Sequence, residues 1–150
     1  MNRRIAREIA VRICFSLSEN PGPAAKILDK FFAHDFYSSL AAEDDLFAEY
    51  PDENQREYIE RIVLGVSEHL AELDGYIEKY SKGWSFSRIS RTAAAVMKTA
   101  MYEIMYVPEV PDSAAINEAV EISKKYDEPE TVKYINGVLG AFARNEMPQK

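Results

Sequence analysis

Hydrophobic positions in this chain recur every three or four residues almost throughout, and hardly anywhere in alternation. Ile5, Ile9, Ile13 and Leu17 predict a first helix over about residues 2–18. Pro21-Gly22-Pro23 breaks it, since two prolines and a glycine cannot continue a helix. Ile27, Leu28, Phe31, Phe32 and Leu40 predict a second helix over about 24–40, and residues 41–53 read as an acidic loop. A third helix carries Tyr58, Ile62, Val63, Val66, Leu70 and Leu73 on one side. Asp74-Gly75 reads as a bend before a short extra helix with Tyr76, Ile77 and Tyr80, and Ser81 to Ser87 form a connection.

The next helix is expected from about Ile89 to Val107, with Ala93, Val96, Met97, Ala100, Met101, Ile104 and Met105 inward and Pro108 as its stop. Another starts at Pro111-Asp112-Ser113, where Asp112 or Ser113 can accept from a free first-turn amide. Pro129 opens the last helix, a position where proline is tolerated. Its apolar positions are Val132, Ile135, Val138, Leu139 and Phe142. The pattern predicts an all-α chain of about seven helices. They form two small bundles, about 1–80 and 81–150, packed as a single domain of 150 residues. Asn136-Gly137 has the composition of a hairpin turn, but its flanks are helical. A glycine inside a helix costs ~1 kcal/mol against alanine, so close approach of another helix is expected there. The helix carrying Ile116 and Asn117 is the candidate.

Composition narrows the classes. With 47% hydrophobic and 29% charged residues the chain is globular rather than disordered. No apolar run reaches the ~18–20 residues of a membrane span, and residues 1–13 lack a signal-peptide core, so a cytoplasmic location is expected. One cysteine, Cys14, excludes an internal disulfide and a multi-cysteine zinc site, and reads as a small structural thiol. His34 and His69 lie far apart, with neither the spacing of a di-iron or zinc motif nor a Walker loop nearby. No catalytic residue, metal site or cofactor is expected. Trp84 and the methionines of residues 97–105 read as core.

Charge changes the picture more. The net charge is −7, which at face value disfavours a nucleic acid. Yet Glu43 to Glu60 holds eight acids against Arg56 alone, so this stretch accounts for the whole excess. The first twelve residues carry Arg3, Arg4, Arg7 and Arg12 against Glu8. Screening confines a field to roughly 10 Å at ordinary salt, so a basic end can bind RNA on an acidic protein. At about 100° per residue Arg3, Arg4 and Arg7 fall on the face opposite the isoleucine stripe, which reads as an exposed basic face. Lys133 and Tyr134 could add a phosphate contact and a stacking ring; the plainer reading is a solvated lysine and a core tyrosine.

Particular residues point further. Ile116-Asn117-Glu118-Ala119-Val120-Glu121, Lys124-Lys125-Tyr126 and Tyr134-Ile135-Asn136-Gly137-Val138-Leu139 together resemble the C-terminal half of the NusB family. The arginine-rich start, Gly65-Val66 with Leu73-Asp74, and Gly83-Trp84-Ser85 leading to Met101-Tyr102-Glu103-Ile104 fit in order. The resemblance is weakest between about 20 and 55. It implies the two-part helical fold and a non-enzymatic role in transcription antitermination and ribosomal RNA synthesis. Expected partners are boxA-type single-stranded RNA, the ribosomal protein NusE and elongating RNA polymerase. The family's RNA-contacting positions match Arg3, Arg4 and Arg7, with Tyr134, Lys133 beside it and Glu130 near the same edge. Where many relatives carry an acid–arginine pair in the region that meets NusE, this chain has Ala93-Ala94, with Arg91 as a displaced charge. The competing reading is a helical protein-interaction module or homodimer whose self-association covers the arginine face.

Overall fold

The computed structural model describes residues 1–20, 22–84 and 89–148, and every ordered element among them is helical. Pro21 of the expected break and Ser85 to Ser87 of the expected connection lie outside the described residues. Eight α-helices run in order: α1 (Arg3–Glu19), α2 (Ala24–Phe31), α3 (His34–Ala41), α4 (Glu53–Glu68), α5 (Leu70–Tyr80), α6 (Arg91–Tyr106), α7 (Asp112–Tyr126) and α8 (Pro129–Glu146). A 3-10 turn, Asp45–Phe47, precedes α4. The chain divides into two compact units, Met1–Ser67 and Glu68–Lys150. That division falls earlier than the sequence reading near Ser81, because α5 packs on α6 and α8 of the second unit.

In the first unit, Asn2 caps α1 by accepting from the Ile5 amide at 2.9 Å. The expected second helix is two helices. Ala33 is extended (φ −62°, ψ 128°) and separates α2 from α3. Neither glycine nor proline marks this break; side chains from further along the chain hold it. The Tyr50 hydroxyl donates to the Phe32 carbonyl at 2.6 Å, and the Tyr37 hydroxyl donates to the Glu49 carbonyl at 2.9 Å. Burial, then the charges of Tyr50 and Glu49, push Tyr37 up to about 12, so it stays a neutral donor. Phe32, Tyr37 and Phe47 bury their rings together in this corner.

The acidic stretch is more structured than a solvated loop. Asp44 Oδ1 accepts from the Leu46 amide at the head of the 3-10 turn, and Asp52 Oδ1 accepts from the Gln55 amide at the head of α4. Asp44 Oδ2 also accepts from Arg12 Nη1 of α1 at 2.9 Å.

The second unit is built from α5 to α8, with α6 packed on the other three. Leu73, Val96, Met97, Met101, Ile104, Ile135, Val138, Leu139 and Phe142 are fully buried. The chain turns at His69 (φ −117°, ψ 23°), so Asp74-Gly75 lies within α5 and makes no bend. Ser90 caps α6, accepting from the Ala93 amide at 3.0 Å. Pro111 occupies the cap position of α7, so Asp112 is already helical and neither it nor Ser113 serves as the cap. Pro129 stands at the start of α8 as its sequence position implies.

Gly137 does face a close neighbour, but not the helix of Ile116 and Asn117. A Cβ placed there would lie 2.6 Å from Trp84 Cζ2. The glycine therefore makes room for an indole ring. Trp84 itself is half-buried, following Gly83, whose φ of +91° lies in the left-handed region that favours glycine.

Candidate nucleic-acid interface

The first turn of α1 supplies the candidate site. Arg3 and Arg4 are its first two helical residues and Arg7 follows one turn on, with no acid in that turn. Cations at a helix N-terminus oppose the helix dipole and cost roughly 0.3–1 kcal/mol each, a cost that an anion placed there would offset.

The face these arginines share is not the open one that the spacing suggests. Residues from Ala6 to Val11 are buried without interruption, Arg7 at 8% exposure and Glu8 at 5%. Arg4 is exposed and Arg3 half-buried. The isoleucine stripe conceals a second one, because Arg3, Arg7, Val11 and Cys14 also recur at helical spacing. Val11 and Cys14 are buried, and that apolar pair is the sequence signal that α1 is covered on this side too.

What covers the arginines is partly aromatic. Tyr58 of α4, 5% exposed, lies beneath the Arg3 guanidinium, whose Cζ is 4.0 Å from the ring centroid. The Arg7 Cζ is 5.6 Å from the same ring. A guanidinium on an aromatic face keeps its charge and gains ~0.5–2 kcal/mol from the ring quadrupole. Sequence reading places Tyr58 among core positions and misses this role, since helical spacing reports that a residue points inward but not what it meets.

Other arginines are used differently. Arg12 is tied to Asp44 and lies 5.4 Å from the Phe47 ring. Arg56 donates from Nε to Glu60 Oε1 at 3.0 Å and from Nη1 to the Tyr50 hydroxyl at 3.2 Å. The basic start of the chain is thus divided: Arg12 is partly neutralised by the acidic stretch, while Arg3 rests on a ring.

At the start of α8, Lys133 is exposed and Glu130 is too. Tyr134 is 1% exposed, which corrects the expectation of a stacking face for single-stranded RNA. Its hydroxyl pairs with Ser81 Oγ at 2.6 Å, and the Trp84 ring meets it edge-on at 5.4 Å. Burial pushes the Tyr134 phenol up, and the Ser81 hydrogen bond opposes that shift. Tyr134 is a core residue.

The expected partner-contact residues separate in the same way. Arg91 is exposed, Ala93 is fully buried, and Ala94 is half-buried. Ala93 turns into the core on the first turn of α6, so it cannot touch a partner. Ala94 borders an open groove of about 510 Å³ with Asp74, Glu78 and Lys82 on its rim. Among the described residues no cluster of three or more His, Cys, Asp or Glu could hold a metal ion, and no helix is long and apolar enough to cross a membrane.

Comparison with known proteins agrees with the fold. The profile of the NusB family matches residues 4–144. The transcription antitermination protein NusB of Thermoanaerobacter sp. (strain X514) is 40% identical over 146 residues, spanning 97% of this chain and 93% of that protein. Among solved structures, T. maritima NusB is 27% identical with a TM-score of 0.65, covering 97% of this chain and 92% of that one. A crystal structure of antitermination factors NusB and NusE in complex with dsRNA shares the fold, with a TM-score of 0.70 at 19% identity over 95% of this chain and 96% of that one.

Proposed function

This chain belongs to the NusB family, whose members are transcription antitermination factors and not enzymes, and from that membership we propose that it binds boxA-type single-stranded RNA together with NusE. In this reading the complex acts in the cytoplasm on elongating RNA polymerase during ribosomal RNA synthesis. The observation that carries the RNA assignment is the arginine group on the first turn of α1, with Arg3 on the Tyr58 ring and Arg4 exposed. Guanidinium groups neutralise phosphates, pair with two of their oxygens at once and stack on bases. Lys133 is an accessible cation on α8 and a second candidate phosphate contact. A structure bearing this fold with NusE and RNA bound supports the choice of partners, and Arg91 and Ala94 are accessible positions for the protein contact.

Fluorescence anisotropy with labelled boxA and scrambled RNA, each with and without NusE, tests the reading. Preferential boxA binding that strengthens with NusE is expected, with a log–log salt slope of about −0.7 per phosphate neutralised. Equal, weak binding of both RNAs in all conditions would sink it.

A further inference from the structure

Arg12 and Arg56 of the first unit are each drawn toward an acid; Arg3 is not. Arg12 meets Asp44, and Arg56 meets Glu60. Arg3 instead lies over the Tyr58 ring, its Cζ 4.0 Å from the centroid, and among the described residues its side chain makes no hydrogen bond or ion pair. The difference matters chemically. A guanidinium carries five N–H donors in a fixed plane. An acid fixes the plane by consuming donors, whereas a ring fixes it through one face and consumes none. Tyr58 also lies near Arg7, so one ring attracts two like charges that would otherwise repel. Tyr58 is buried and belongs to α4, a different helix from the arginines it meets.

We propose that Tyr58 is a positioning residue for RNA: its ring holds the Arg3 guanidinium in a fixed plane, with all its donors directed to the phosphates of a single-stranded RNA. This rests on the RNA-binding reading above and adds to it a residue that need not touch the RNA. The ring is the required part; the phenolic oxygen is not.

The test is a double-mutant cycle on the full chain, read by anisotropy with a labelled boxA-type RNA. Arg3→Ala should weaken binding about tenfold, the worth of a charge-assisted contact. Tyr58→Leu should weaken it about three- to tenfold, while Tyr58→Phe should bind as the parent does. In the Arg3→Ala background Tyr58→Leu should have no further effect, because the group it positions is gone. Arg3→Lys leaves the core untouched and keeps the charge, yet loses the planar fork, so it should behave nearly as Arg3→Ala does. It decides the matter if Tyr58→Leu does not fold.

Equal loss from Tyr58→Leu with and without Arg3 overturns the proposal, since that is what a purely structural role produces. So does Arg3→Lys binding like the parent. An unchanged affinity in Arg3→Ala, Arg4→Ala and Arg7→Ala alike overturns instead the assignment of RNA to this helix, so the two failures are distinguishable.

Discussion

The starts of α1 and α8 both carry residues that the sequence offers as RNA-contact candidates, yet the fold treats them in opposite ways. At α1, guanidinium groups are drawn against a tyrosine ring. At α8, the tyrosine itself is drawn inward, bonded to Ser81 and met by Trp84. A partly covered arginine keeps its charge and its edge donors. A covered aromatic ring has no face left on which a base could stack. Partial burial is therefore compatible with the first kind of contact, and burial removes the second.

The hardest test of this contrast is Tyr134→Ala. Removing a buried aromatic ring should cost about 3–5 kcal/mol in urea unfolding. Tyr134→Phe should cost only about 0.5–1.5 kcal/mol, the worth of the Ser81 hydrogen bond, and leave RNA affinity unchanged. A Tyr134→Phe or Tyr134→Leu protein with normal stability but abolished RNA binding would reverse the assignment. Arg3→Ala with Arg7→Ala should do the converse to affinity, weakening boxA binding about tenfold per residue and flattening the salt slope by about 0.7 for each phosphate no longer neutralised. Because Arg7 is buried, its replacement should also lower the melting temperature, which that of exposed Arg4 should not.

Smaller effects sharpen the α8 side. Gly137→Ala must displace Trp84, and overpacking of about 1–3 kcal/mol is offset by about 1 kcal/mol of gained helix propensity. A net loss of about 1 kcal/mol is expected, with a shift in emission, since Trp84 is the chain's one tryptophan. Smallest is an acid effect at the other end of α8. Hydrogen bonds from the Lys79 ammonium and the Tyr80 hydroxyl hold the Glu146 carboxyl below its usual value near 4.5. A carboxyl lowered in the folded state contributes stability above pH 4.5, and that contribution disappears as pH falls through the lowered value. Lys79 is mostly exposed, so Glu146→Gln should flatten the acid limb of a stability–pH curve only slightly.

Much of this was legible in residue spacing. Helical periodicity located nearly every helix, and prolines at 108 and 129 marked ends correctly. What spacing missed were features made by contacts distant in sequence. The Ala33 break depends on tyrosines at 37 and 50, and the boundary at His69 carries no glycine or proline. Asp74-Gly75 has turn composition but is helical, because glycine permits a bend without requiring one. Gly137 announced a close neighbour, and nothing local could say that it was Trp84. At the site, arginines were legible as charges, but not as partners of Tyr58. Tyr134, a candidate RNA contact, is buried, and so is Ala93, which stands where many relatives carry an acid–arginine pair and which the spacing places inward. Their helical phase was available, since Tyr134 lies four residues before Val138 and Ala93 four before Met97, both fully buried.

The uninterrupted burial from Ala6 to Val11 also bears on how binding ability would disappear. A helix with one solvent face can fray or lift while its neighbours stay in place; a helix covered all round has no such partial route. Amide protons in that segment should exchange with solvent only when the surrounding helices open together. The arginines ride on the turn immediately before it. Warming should therefore leave RNA recognition intact until the first unit unfolds, and then abolish it in the same cooperative step.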